Sequence, residues 1–249
     1  MQKSGQVTVF VIVGLIALVS LFFIIALTPK NINPNPTQEN YATFAQPVQF
    51  VAQDCAETVL HEAIFVTSSQ GGYYKTPAPY IDYSYFQIPY YFDNTTLIDP
   101  AAAMVEAQIE QYLVENLPTC LERVPFANLN IEQQTPQPNI IIENEQVILD
   151  LQWPIDVEEG VSITTLSEFR VVEPVELGEA LVLSQQILTE QERYPDVVRM
   201  SHLVALSEEN DLYVELFKFN DTVIYALDYP NSSFSDEYVF TFAVRYPWQ

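Results

Sequence analysis

An unbroken, uncharged apolar run from Val7 to Leu27 constrains this chain more than any other feature. At about 1.5 Å of rise per residue, a helix of this length just covers a hydrocarbon core of about 30 Å, so the run is expected to span a membrane. A removable secretory signal fits less well. Its apolar core would be roughly 7 to 15 residues with small residues before the cut, whereas this run is longer and leads into Thr28-Pro29. The sequence after Lys30 is polar enough to live in water. Residues 1–28 are therefore predicted to be an anchor carrying one large domain on a single side of the bilayer. Lys3 before the run and Lys30 after it nearly balance, so the positive-inside bias is slight.

Pro29, Pro34 and Pro36 forbid a continuing helix, and residues 29–46 read as a Pro/Asn-rich extended spacer. The rest is long enough to bury a real core. It divides into a helical, tyrosine-rich segment, 47–127, and an α+β segment with C-terminal antiparallel strands, 128–249. No internal repeat is present. The predicted fold is α+β: a single N-terminal transmembrane helix, then a domain of two or more helices packed on antiparallel sheet.

A first helix is expected to begin near Pro47, with Val48, Val51, Ala52, Cys55, Val59, Ala63 and Val66 on one face, and to stop at Gly71-Gly72. A second follows Asp99 as N-cap and Pro100 at its first position, with Met104, Val105, Ile109, Leu113 and Leu117 as its stripe. Pro118 is expected to kink or end it. Ile140–Ile142 and Val147–Leu151 read as a hairpin that Trp153-Pro154 terminates. A strand over Val161–Val172, a helix over Glu176–Arg193 and a shorter helix over Asp196–Leu206 follow. Three strands, Leu212–Phe219, Thr222–Tyr229 and Glu237–Tyr246, come last, and turns this short imply antiparallel pairing. Tyr238, Phe240, Phe242, Val244 and Tyr246 share one face of the last strand, against helices. Thr241 and Arg245 face outward or across a subunit contact.

The chain carries 9 Lys+Arg against 33 Asp+Glu, a net charge of -24. Removing Lys3 and Lys30 leaves about seven basic residues against the same acidic count, roughly -26 beyond the anchor, which repels phosphate backbones and argues against nucleic acid as a partner. So much acid reads as a solvated surface. Glu158-Glu159-Gly160 and Glu208-Glu209-Asn210-Asp211 could offer oxygens to calcium, but neither has the spacing of an EF-hand loop, and no metal or cofactor site is predicted.

Cys55 and Cys120 are the only cysteines, each on or near the apolar side of one predicted helix. In an exported domain they are a disulfide candidate; otherwise they are two buried thiols. Redox catalysis is not indicated, because there is no Cys-x-x-Cys. Three sequons, Asn94-Thr95-Thr96, Asn220-Asp221-Thr222 and Asn231-Ser232-Ser233, mark Asn94, Asn220 and Asn231 as glycosylation candidates and favour an extracytoplasmic domain.

Between the first two helices lies YYKTPAPYIDYSYFQIPYYF, whose prolines exclude a helix and whose residues Tyr80 to Phe86 alternate like a strand. Tyrosine gives large contact area at low entropic cost, so Tyr80, Tyr83, Tyr85, Tyr90 and Tyr91 are candidates for a surface that recognises protein or glycan. The alternative is packing over the flanking helices.

Catalytic patterns are incomplete. His61-Glu62 opens like a zinc-protease helix motif, but Phe65 stands where the second ligand belongs. Ser201-His202 are only neighbours in sequence, with no Gly-x-Ser-x-Gly elbow, and no glycine-rich turn precedes a helix to cradle phosphate. Paired carboxylates are too common in an acidic chain to be read without their separation in space. No enzyme is predicted.

Two resemblances bear on localisation. KSGQVTVF resembles the class III signal of archaeal type IV pilins, which implies cleavage between Gly5 and Gln6 with the apolar helix retained; Phe10 stands where many such pilins carry Glu. The basic start, the anchor, a helix with an early Cys ending in Gln70-Gly71-Gly72-Tyr73, the tyrosine-rich stretch and a helix closing on Cys120-Leu121 together resemble uncharacterised membrane-anchored surface proteins of small-genome archaea. That resemblance covers about the first half and implies a cell-surface protein with no catalytic residues to carry over. The expected function is a single-pass cell-surface protein whose acidic extracytoplasmic domain binds, adheres or serves the envelope. A pilin-like filament subunit and an extracellular hydrolase using carboxylates are the alternatives.

Overall fold

In a computed structural model, residues 44–93, 96–98, 101–126, 128–234 and 238–248 are described, and they belong to one compact unit. The anchor Val7–Leu27, the cut between Gly5 and Gln6, most of the spacer, and Asn94 lie outside them. Among the described residues no helix is long and apolar enough to cross a membrane.

Helix α1, Gln46–Ser69, carries Pro47 in its opening turn, where a missing N–H costs nothing. It buries Val48, Ala52, Cys55, Val59 and Ala63, and its buried face widens to Leu60 and Ile64. The helix stops because Gly71 and Gly72 turn the chain with φ of +56° and +78°, a region open to glycine. Gly71 is also wedged into the sheet: a Cβ there would lie 2.7 Å from Pro89 Cγ and 2.9 Å from the Thr241 carbonyl oxygen.

Helix α2, Ala102–Glu122, buries Val105, Ile109, Leu113, Leu117 and Leu121. Ala101 occupies its cap position; Asp99 and Pro100, expected there, lie outside the described residues. Pro118 does not end it. The helix continues one more turn, and that turn delivers Cys120 to Cys55 on α1. The two cysteines form a disulfide with Cα atoms 5.9 Å apart, closing a loop of 65 residues.

The first sheet has the order β1-β2-β10-β9-β8, with the short β3 (Thr96–Leu97) against β2. Its strands are β1 Tyr80–Tyr83, β2 Phe86–Asp93, β8 Tyr213–Phe219, β9 Thr222–Tyr229 and β10 Tyr238–Arg245. The last three pair antiparallel as their turns imply. The β2–β10 pairing is parallel and joins residues about 150 apart, so strands from both of the segments 47–127 and 128–249 share one sheet. Tyr238, Phe240, Phe242, Val244 and Tyr246 are all essentially fully buried on one face. Tyr238 hydrogen-bonds Ser68 of α1, and Phe242 is stacked between Tyr91 (4.8 Å) and Tyr225 (5.1 Å).

Thr241 and Arg245 are half-buried and paired within the chain. Thr241 Oγ1 donates to the Ser69 carbonyl. Arg245 pairs with Asp93 of β2 at 2.9 Å, and its guanidinium lies 4.1 Å over the Tyr90 ring. The end of α1 supplies the partner of Thr241 and β2 supplies those of Arg245.

The second sheet is built on β6, Gln146–Glu159, with β7 (Ser162–Pro174) along one side and β4 (Asn130–Gln133) and β5 (Gln137–Ile142) along the other. Trp153-Pro154 does not terminate β6. The register with β7 shifts between Gln152 and Ile155, so Pro154 sits in a bulge where no ladder N–H is required, and Trp153 fills the core against Phe169. Helices cover the sheet's two edges. On β5, the N–H groups of Ile140 and Ile142 donate to Glu110 and Glu106 of α2; on β7, the Arg170 carbonyl accepts from Gln53 of α1.

Two further helices complete the domain, α3 over Leu177–Arg193 and α4 over Met200–Asn210. The expectation that the latter starts at Asp196 is corrected: the Asp196 carbonyl instead accepts from the Trp248 indole, and Arg199 is the cap residue.

Candidate functional site

The tyrosine-rich segment is a hairpin, not the single strand expected over Tyr80–Phe86. Ser84, with φ of +55°, and Tyr85 make the turn between β1 and β2. Alternation on each side of the turn then sends the rings in different directions. Tyr83 turns back over the sheet, its ring centroid 5.6 Å from Phe217 and 5.5 Å from Phe219 of β8. Together with Ile81 and Phe217 it packs against the buried cluster Ile88, Tyr90, Ile224 and Ala243. Tyr90 and Tyr91 are corrected out of the recognition surface. Both are buried, with the Tyr90 hydroxyl on Thr222 Oγ1 at 3.0 Å and the Tyr91 hydroxyl donating to the Gly71 carbonyl at 2.9 Å. Tyr85, 96% exposed at the tip, and Tyr80, 38% exposed, are the exposed residues of the five, and Tyr83 is half-buried. The hairpin therefore closes one face of the sheet and presents an aromatic tip on a fixed base.

The remaining sequence candidates have structural roles or stand apart. His61 Nδ1 lies 3.1 Å from Glu173 Oε1 and its ring stacks on Phe234 at 4.1 Å, while Phe65 meets Phe86 edge-on. Glu158 accepts from Asn130 on the neighbouring strand; Asp211 is an αL cap whose carboxylate accepts from Asn231. Among the described residues no three His, Cys, Asp or Glu side chains converge as a metal site. Asn220 and Asn231 are exposed, but the Thr222 hydroxyl of the Asn220 sequon is buried against Tyr90.

A second site is one that the sequence reading did not assemble. Helices α3 and α4 leave a groove of about 350 Å³, lined by Gln185, Gln186, Thr189, Glu190, Arg193 and His202 over an apolar patch at Val182. The α3 residues recur at three- and four-residue steps, a polar stripe visible in sequence, but α4 is needed to make it a groove. Glu190, 17% exposed, lies 3.4 Å from Arg199 and 3.7 Å from Arg193, and Arg199 stacks 4.0 Å over the Tyr194 ring. Beneath, buried Gln191 donates to the Tyr194 carbonyl and accepts from the Tyr246 hydroxyl, which is itself hydrogen-bonded to Tyr225. Burial pushes the Tyr225 phenol up to about 12 and the Tyr246 phenol up as well, so both stay neutral and the chain of hydrogen bonds is fixed across the physiological range. His202 Nε2 is buried with no hydrogen-bond partner among the described residues. Ser201, its exposed neighbour, does not line the groove.

No protein-family model matches this chain, and comparison with curated proteins and with solved structures finds no match.

Proposed function

We propose that this chain is a single-pass, membrane-anchored cell-surface protein whose acidic extracytoplasmic domain makes binding contacts through the aromatic hairpin tip. The observation that carries the reading is the Cys55–Cys120 disulfide. Disulfides persist in oxidising compartments, and a membrane run followed by a cross-linked domain fits display on the outer side. The contact role follows from Tyr85 and Tyr80. An exposed aromatic ring on a hairpin whose other rings are locked into the sheet can bury large area at low cost in entropy. The partner class is protein or glycan of the cell envelope.

The test is photo-crosslinking on intact cells, with a photoreactive residue at position 85 in the full chain and a control at Glu209, exposed on α4. The reading expects a discrete adduct with an envelope component from position 85 and none from the control. Equal adduct patterns, or none, would remove the hairpin as a contact surface.

A further inference from the structure

We propose that Asn231 is a glycosylation site and that the fold selects it over Asn220. The inference rests on the extracytoplasmic reading of the domain, but it stands on residues that reading does not use. An Asn-x-Ser/Thr acceptor is recognised through two groups, the Asn amide and the hydroxyl two residues on, so both must be open to the transferase. At Asn231 both are open. Pro230 presets a turn in which the Ser232 N–H donates to the Tyr229 carbonyl at 3.1 Å, and Asn231 stands exposed at its third position. The Asn231 amide donates to Asp211 Oδ2 at 3.3 Å, a long, exposed bond that is readily given up. Ser233 is exposed as well, because the loop is held by the residues on either side of it. Ser232 Oγ donates to Glu176 and accepts from the Phe234 N–H, and the Phe234 ring is buried against His61 and Tyr238.

Asn220 fails on the hydroxyl. Asn220-Asp221 is the whole of the turn between β8 and β9, with Asn220 at φ of +52° and Phe219 paired with Thr222 across it. Thr222 is 2% exposed, and its Oγ1 lies 3.0 Å from the buried Tyr90 hydroxyl. Reaching it means unpairing the end of the β8–β9 ladder, whereas the Asn231 sequon is reached without disturbing a strand. The donor class is a sugar activated on a polyprenyl phosphate, carried to Asn231 by a membrane transferase facing the same side. A bond forms between Asn231 Nδ2 and the anomeric carbon, and the bond from that carbon to the phosphate oxygen breaks. The lipid phosphate leaves with the electron pair and one amide proton passes to a base of the transferase, so nothing is oxidised or reduced. The sugar also has a defined place. Because β2 and β10 run parallel, the loop leading into β10 and the tip leading into β2 lie at one end of the sheet, and the Asn220 turn lies at the other. One helical turn of α1 links loop and hairpin, with His61 against Phe234 and Phe65 against Phe86, so a glycan on Asn231 borders the aromatic tip.

The test is mass spectrometry of the full chain purified from native membranes, with external protease applied to intact cells in parallel. A protease that cuts after Asp and Glu separates the two sequons at Asp228, and fragmentation that retains the sugar assigns any added mass to its residue. The proposal expects an increment that releases sugar ions on Asn231, with Asn220 unmodified. Asn231→Gln and Ser233→Ala alter exposed side chains, so each leaves the fold intact, and each removes the whole increment from that peptide. Unmodified Asn231 in a chain that external protease digests overturns this proposal and leaves the surface reading standing. Unmodified Asn231 in a chain protected from external protease overturns both. Equal occupancy of Asn220, which would mean that transfer precedes folding, or an increment that survives Ser233→Ala also overturns the proposal.

Discussion

Glu179 shows how the acidic composition acts at one residue. It sits in the first turn of α3, partly desolvated and beside the carboxylates of Glu176 and Glu145, and these effects raise its pKa above the ordinary carboxylate value. It therefore holds its proton more tightly folded than unfolded. Its contribution to stability is complete below the unfolded value and is lost as the pH rises through the folded one. Glu179→Gln should raise the melting temperature at about pH 7, and the gain should vanish near pH 4, as checked by thermal melts across that range. Nothing in the local sequence distinguishes Glu179 from thirty-two other acids. Glu176 is a near neighbour in sequence, but Glu145 arrives on the β5–β6 turn from more than thirty residues away. The tyrosines teach the same lesson: Tyr85 stands in the turn after Ser84 and is 96% exposed, while Tyr91 lies in β2 and is buried against Phe242.

Among the elements, those governed by local chemistry were legible and those governed by distant partners were not. Pro47 and Gly71-Gly72 bound α1 as expected, and the short turns of the last three strands give antiparallel pairing. The parallel seam between β2 and β10, the passage of β6 through Pro154 and the continuation of α2 past Pro118 depend on contacts that no local pattern carries. The groove residues of α3 were readable as a polar stripe, yet their meeting with His202 was not, because it requires α4 to fold back. Two expectations belong here. Gly71→Ala combines a positive φ with contacts under 3.0 Å to Pro89 and Thr241, and should cost about 2 to 4 kcal/mol by chemical denaturation. Gly160→Ala, also at positive φ but with nothing within 4 Å, should cost about 1 kcal/mol. The carboxylates that cap β5 supply the other. Glu110→Ala leaves the Ile140 N–H without its partner, and should lower stability by about 1 to 2 kcal/mol and speed amide exchange at Ile140.

The described domain packs helices α1 to α4 with two sheets, and one disulfide ties α1 to α2, in a chain of net charge -24. Closing a 65-residue loop restricts the unfolded chain by about 4 kcal/mol in the chain-entropy account. Reduction, or the double substitution Cys55→Ala with Cys120→Ala, should therefore lower the melting temperature by about 10 °C. An unchanged midpoint would show that the packing of α1 on α2 carries the fold without the bond. The same disulfide links structure to address, and one measurement tests that link most directly: thiol alkylation of intact cells or native membranes, with and without prior reduction, read by intact mass alongside susceptibility to external protease. The expected result is a chain that takes up no alkylating groups until it is reduced, then takes up two, and whose domain is removed by protease added from outside. A chain alkylated at Cys55 and Cys120 without reduction, or one protected from external protease until the membrane is opened, would contradict an outward-facing, cross-linked surface domain.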